Sequence, residues 1–280
     1  MPELPEVETM RRGIASVIGE TIAEVQLVAS NFRPIGLSPR PSLFVRRLAG
    51  RTIRDTGRLG KRVILHLDND DAIVVEPRMT GLVLLTDPPD YEHLRLGIGF
   101  RRKAAPRLWY WDRRGLGSVR LLSSKELEQK VAASLGPDAL AITQAELRDR
   151  LQRSRRAIKV ALLDQALIAG IGNLYAAEIL HLARIHPANP CSQLINSQWH
   201  RLHGAIGEVL HKAIQCEGST LSDGTYRNAL NKQGGYQNHH RVYARAGEQC
   251  PTCQRGTIER TVQAQRATFS CPVCQRKRKK

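Results

Sequence analysis

Two Cys-x2-Cys pairs near the C-terminus restrict what this chain can fold into more than any other feature. Cys250 and Cys253 form one pair and Cys271 and Cys274 the other, with the 17 residues 254–270 between them. Each short turn aims two sulfurs at one point, and a hairpin between the turns closes the tetrahedron, which is the spacing of a four-thiolate zinc ribbon. Pro251 and Pro272 occupy the same place in each turn, as in two matched knuckles. A redox dithiol needs only one pair; two pairs flanking a strand-rich hairpin favour zinc. Four thiolates leave no position for water, so one structural Zn2+ is expected, holding together a segment too short to own a core. The hairpin tip is expected to present Gln265 and Arg266. Cys191 and Cys216 read as ordinary thiols.

The rest of the composition points the same way. Lys and Arg total 43 against 26 Asp and Glu, with a pI near 10.2, and an excess of that size attracts polyanions, of which nucleic acid is the commonest large one. No apolar run approaches the ~18 residues of a membrane span, and the opening MPELPEVETMRRG has no signal-peptide core. A cytoplasmic monomer without membrane contact is expected, in a compartment where disulfides are rare.

Along the chain the character changes once. Within residues 1–13 a helix is expected to begin after Pro5, with Glu6, Val7, Glu8 and Met10 in its first turns. The runs TIAEVQLVAS, KRVILHL, AIVVEP, GLVLLT, LRLGIGF, RLWYW and SVRLL then read as short strands separated by Gly, Pro and Asp, the pattern of a β-sandwich or barrel. A short helix near 124–134 and the turn-rich LGPDALAIT follow. Helical periodicity covers 144–152, 155–169, 174–184 and 197–216, with the middle two joined by Ala169-Gly170-Ile171-Gly172-Asn173. Residues 219–247 read as loops. The expected divisions are a β-sandwich domain at 1–135, a linker at 136–146, a helical domain at 147–246, and a metal-binding finger with a basic tail at 247–280. The fold class is α+β.

Pro2 follows Met1, and a small second residue favours removal of Met1. That would make the proline ring nitrogen the chain's α-amine. A secondary amine attacks an aldehyde-like sugar carbon to give an iminium, an electron sink that drives elimination. Glu3 and Glu6 are the carboxylates near enough in sequence to shuttle its proton. By itself the dipeptide is common, and Pro5-Glu6 is also an ordinary helix start.

Four stretches together resemble one family. They are Met1-Pro2-Glu3-Leu4-Pro5-Glu6-Val7-Glu8-Thr9, Gly170-Ile171-Gly172-Asn173-Leu174-Tyr175-Ala176-Ala177-Glu178, Val242-Tyr243-Ala244-Arg245-Ala246-Gly247 and Gln265-Arg266-Ala267-Thr268-Phe269-Ser270-Cys271. In this order they resemble the formamidopyrimidine-DNA glycosylases, also called 8-oxoguanine DNA glycosylases. The resemblance implies an N-terminal β-sandwich with flanking helices, a helix–two-turn–helix domain, a four-Cys zinc finger, and double-stranded damaged DNA held between the halves. It implies that Pro2 is the Schiff-base nucleophile and Glu3 the general acid. Lys61 and Arg266 would aid β- and δ-elimination, and Asn173 and Arg266 would clamp phosphates. Met79, Arg114 and Leu116 would fill the gap left by the extruded nucleotide, and His93 would contact DNA. Glu178 would be the helical-domain carboxylate near the damaged base, and Glu6 is placed among the DNA-binding residues. From charge, Arg155 and Lys159 are expected to add phosphate contacts. Physical chemistry agrees for two of these: Asn173 stands at a helix start, where an anion is favoured, and Arg266 at a metal-held tip is a good phosphate fork.

The chain departs from the family at Asp112-Arg113-Arg114-Gly115-Leu116-Gly117, where Leu116 replaces an aromatic wedge, and around Thr225–His240, a loop rich in Asn, Gln and His. Two competing readings are the endonuclease VIII branch, acting on oxidised pyrimidines, and a zinc-ribbon DNA-binding protein without catalysis. Leu4, where that branch usually has Gly, argues against the first; Pro2, Glu3 and Lys61 argue against the second.

Overall fold

Apolar residues at Leu4, Val7 and Met10 recur at helical spacing and form the buried face of α1 (Leu4–Gly13) in the computed structural model, which describes residues 1–277. Arg278, Lys279 and Lys280, the end of the basic tail Arg276–Lys280, lie outside the described residues. The chain forms two units, Met1–Ala133 with Ile214–Gln237, and Ser134–Ala213 with Asn238–Lys280.

In the first unit α1 is followed by β1 (Ile22–Leu27), β2 (Gly36–Ser38), α2 (Pro41–Leu48), β3 (Ile53–Leu59), β4 (Arg62–Leu67), β5 (Asp71–Glu76), β6 (Gly81–Leu84), β7 (Leu94–Phe100), β8 (Leu108–Asp112), β9 (Ser118–Ser123) and α3 (Ser124–Lys130). They build two sheets, ordered β1-β7-β8-β6 and β2-β9-β5-β4-β3. Every pairing is antiparallel except the short β2–β9 contact. Side chains two apart on a strand share a face. Val63, Leu65 and Leu67 of β4, Ile73 and Val75 of β5, Leu82 and Leu84 of β6, and Leu96 and Ile98 of β7 accordingly meet in one core. Val7 and Met10 of α1 and Phe44 and Leu48 of α2 join it. The result is a β-sandwich with flanking helices.

The segment Ile214–Gln237, read from the sequence as part of a helical domain at 147–246, groups with the sandwich. Tyr226 and Ala229 enter the sandwich core, and the Leu85 N–H donates to the Ala229 carbonyl (2.9 Å). Both sides of these contacts depend on residues far apart in sequence, which a local pattern does not reveal.

The second unit carries α4 (Gln144–Leu151), α5 (Ile158–Leu162), α6 (Asn173–Leu182), most of α7 (Asn196–Gln215), and the hairpin β10 (Glu259–Gln263) and β11 (Arg266–Ser270). Thr143 and Glu146 close a capping box that starts α4. The expected helix over 155–169 is corrected: α5 runs only from Ile158 to Leu162. Beyond Leu162 the Asp164 carboxylate takes the Ala166 N–H (3.1 Å). The Gln165 side chain accepts from the Gly170 N–H and donates to the Ile171 carbonyl (both 2.9 Å), so side chains satisfy the backbone in place of helix bonds. Ala177, Val242, Ile258 and Phe269 pack with Cys250 and Cys271 in a small core. Among the described residues no helix is long and apolar enough to cross a membrane.

Candidate functional site

The first unit gathers its candidates at one end of α1. Pro2 is buried just ahead of the helix, and Glu3 at its N-cap is 4% exposed. Glu6, also buried, completes a capping box: its Oε2 accepts from the Glu3 N–H (2.9 Å), while its Oε1 accepts from the Ser219 N–H (2.9 Å). Its carboxylate holds the backbone of Glu3 and Ser219, fixing the segment that carries Pro2.

Lys61 sits in the two-residue turn between β3 and β4, next to Gly60, whose φ of 56° is the left-handed conformation such a turn requires. Arg58 of β3 donates to Glu8 of α1 (3.2 Å) and to the Gly60 carbonyl (3.0 Å), tying this turn to the helix that Glu3 begins. Burial alone would raise the Glu8 carboxyl, but hydrogen bonds from Arg11 and Arg12 and the charges of Arg11 and Arg58 outweigh it and hold it at about 2.

Met79 and Arg114 lie on separate loops, β5–β6 and β8–β9, and both are exposed. A residue the sequence reading passed over joins them. Asp112 is fully buried; its Oδ1 accepts from the Thr80 hydroxyl (2.5 Å) and the Arg114 N–H (3.2 Å), and its Oδ2 from the Gly117 N–H (2.8 Å). One carboxylate therefore sets both loops. An acid directly after a buried Trp111 and before two arginines was the available signal. Gly115, φ 60°, lies where any side chain would strike the Arg33 carbonyl, and Leu116 is half-buried. His93 donates from Nδ1 to the Asp90 carboxylate (2.8 Å) and stacks on the exposed Phe32 ring at 4.5 Å.

In the second unit the candidates converge on the hairpin. Ala264 and Gln265 both have positive φ (47° and 59°), making the tight turn that places Arg266 at the start of β11. Arg266 is exposed and has no partner among the described residues. Asn173 is the first residue of α6, with Gly172 at the N-cap. Its Nδ2 donates to the Ala267 carbonyl (3.1 Å), and its Oδ1 is buried without a partner among the described residues. Arg155 is exposed.

Lys159 is 1% exposed, and its Nζ donates to the Ala267 carbonyl (2.8 Å) and the Thr268 hydroxyl (2.7 Å), so it supports the hairpin from within. Glu178 is fully buried; its oxygens accept from the N–H groups of Arg241, Val242 and Tyr243 (2.8, 3.0 and 2.8 Å). Burial pushes its carboxyl up despite those three amides and Arg241. Each is held within the second unit and anchors the C-terminal segment.

The four cysteines of the two knuckles bring their sulfurs within 4.8 Å of one another and could hold a metal ion. Cys250 and Cys274 are 3.8 Å apart and Cys253 and Cys271 3.7 Å. A tetrahedral zinc with bonds of about 2.3 Å separates its sulfurs by roughly 3.8 Å, so the cluster has the dimensions the ion needs. The N–H groups of Arg255 and Gly256 pull the Cys253 thiol down to about 6, whereas burial and crowding by the other sulfurs push Cys274 up.

A sandwich entered by an N-terminal Pro-Glu helix, followed by a helical unit that closes on a four-Cys hairpin, defines the class of helix–two-turn–helix DNA glycosylases. Residues 1–119 match the formamidopyrimidine-DNA glycosylase N-terminal domain, and residues 135–225 the formamidopyrimidine-DNA glycosylase H2TH domain. The chain is 44% identical to the formamidopyrimidine-DNA glycosylase of Chloroflexus aurantiacus over 98% of both chains. It is 38% identical to that of Bacillus subtilis over 99% of this chain and all of the relative. Among solved structures it is similar to the MutM (Fpg) protein of Thermus thermophilus (TM-score 0.85, 35% identity, 98% of each chain). It is similar also to Lactococcus lactis Fpg in complex with DNA containing an abasic site (TM-score 0.86, 34% identity, 98% of this chain and 100% of that one). The chain belongs to the formamidopyrimidine-DNA glycosylase family.

Proposed function

We propose that this protein is a base-excision-repair glycosylase for oxidised purines, formamidopyrimidines and 8-oxoguanine, with an associated lyase activity at the abasic sugar. The observation that carries the reading is the buried Pro2-Glu3 entry to α1, fixed by the two backbone bonds of Glu6. The Pro2 nitrogen, freed by removal of Met1, attacks C1′ of the extruded nucleotide. The C1′–N bond breaks, the base leaves with a proton, and Glu3 protonates the opening sugar oxygen. The resulting iminium acidifies C2′–H; loss of that proton expels the 3′ phosphate, and a second elimination expels the 5′ phosphate. Lys61 assists the proton transfers, and Asn173 and Arg266 hold the flanking phosphates. Met79, Arg114 and Leu116 occupy the vacated stack, and His93 and Arg155 contact the DNA backbone. The four cysteines hold one structural zinc; a closed tetrahedral zinc contributes no chemistry, only the rigidity of the hairpin that carries Arg266.

The test is excision from duplexes carrying formamidopyrimidine or thymine glycol. The reading expects preferential release of the purine lesion, with phosphate at both ends of the gap. Preference for thymine glycol overturns the substrate assignment, and base release that leaves the strand intact overturns the lyase.

A further inference from the structure

Helix α6 reaches the C-terminal segment at three levels: Asn173 at its start, Glu178 in its middle, and His181 about 12 Å along from Asn173 by the ordinary helical rise. The first two are described above. His181 is 2% exposed and takes no part in the proposed reaction. Its Nε2 lies 3.5 Å from Cys250 Sγ, and its Nδ1 is buried without a partner among the described residues.

This geometry selects one tautomer. A metal-bound thiolate only accepts, so a hydrogen on Nε2 points at a lone pair. The other tautomer sets two lone pairs face to face and buries an N–H on Nδ1 with nothing among the described residues to receive it. The neighbouring sulfurs show what that hydrogen supplies. Cys253 receives the Gly256 N–H (3.4 Å) and Cys271 the Cys274 N–H (3.5 Å), whereas no backbone N–H among the described residues reaches Cys250 Sγ. Cys250 is fully buried, so no water reaches it either.

We propose that His181 is a positioning residue of the metal centre, donating from Nε2 to the Cys250 thiolate in place of the missing backbone amide. The proposal rests on the four cysteines binding metal. The donated hydrogen draws charge from the sulfur, so Cys250 stays bonded to the metal and reacts slowly with electrophiles. It also pins the metal to the same helix whose other end holds Asn173.

The test uses the full-length protein. His181→Phe keeps an aromatic ring and removes the donor; His181→Gln keeps an N–H near the Nε2 position. Cobalt(II) is substituted for the native metal, and its sulfur-to-metal charge-transfer band is recorded. Native-metal release to a colorimetric chelator is timed alongside. His181→Phe is expected to move the band to lower energy and to release metal roughly ten-fold faster, in line with the loss of an outer hydrogen bond at a metal site. His181→Gln is expected to restore both. If the phenylalanine does not fit the site, His181→Met removes the donor in a flexible side chain. Unchanged band and release rate in the donor-free variant overturn the role of His181 while leaving the metal centre intact, as does a glutamine variant that behaves like it. Wild-type protein that takes up no cobalt and contains no metal overturns the metal centre itself.

Discussion

Replacing Glu178 separates a structural carboxylate from one that meets DNA. Its side chain is sealed from solvent and accepts three backbone N–H groups, those of Arg241, Val242 and Tyr243. Glu178→Ala removes the acceptor of all three donors. Each orphaned donor costs about 1–3 kcal/mol, and the sum is reduced because the segment can partly relax, so a loss of about 3–5 kcal/mol is expected. Glu178→Gln keeps one carbonyl but turns an NH2 toward the amides, and about 1–2 kcal/mol is expected. At the scale of this chain the alanine change lowers the midpoint of the affected transition by roughly 10 °C. Thermal and urea unfolding measure the loss. Amide exchange at Arg241, Val242 and Tyr243 should rise in step, since these are the groups left without an acceptor. An alanine variant that unfolds within about 0.5 kcal/mol of wild type, yet binds lesion DNA poorly, refutes the reasoning and returns Glu178 to the DNA interface.

Three further outcomes are expected. Asp112→Ala should lower stability by about 2–4 kcal/mol and slow single-turnover excision roughly ten- to a hundred-fold, because the loops bearing Met79 and Arg114 lose their shared acceptor; urea unfolding and quenched-flow excision read the two effects. Stripping the metal with a chelator should unfold the β10–β11 hairpin and abolish DNA binding while leaving the sandwich folded, as seen by NMR and filter binding. The Glu8 carboxyl at about 2 lies below its ordinary 4.5, so its contribution is fully present above pH 4.5 and is lost as pH falls toward 2. That loss amounts to about 3 kcal/mol, and Glu8→Gln should flatten it in unfolding free energies measured across that range.

What could be read from the sequence was whatever the sequence encodes locally. The metal cluster is local: two turns and a hairpin bring Cys250, Cys253, Cys271 and Cys274 together whatever the rest does. The strands from β4 to β9 announce themselves by apolar runs, whereas β3 (Ile-Arg-Asp-Thr-Gly-Arg-Leu) shows two apolar ends around a polar middle and is defined by its pairing with β4. Lys159 and Glu6 each have a backbone partner far away in sequence: Lys159 meets a carbonyl 108 positions on, and Glu6 an amide 213 positions on. Such partners leave no local pattern to announce them. Asp112 shows the converse. Its residue type is that of a surface acid; its neighbours Trp111, Arg113 and Arg114 hint otherwise, and its fully buried position and the three groups around it establish the role.

The central claim is that Pro2 makes the covalent bond to the sugar. The most direct measurement is borohydride trapping on duplex abasic DNA, followed by mass mapping of the adduct. Wild-type protein lacking Met1 is expected to be trapped one to one, with the nucleotide remnant on the N-terminal peptide at Pro2, and Pro2→Gly to be trapped far more slowly. An adduct on any lysine-containing peptide that lacks Pro2, or a Pro2→Gly variant trapped as fast as wild type, contradicts that claim.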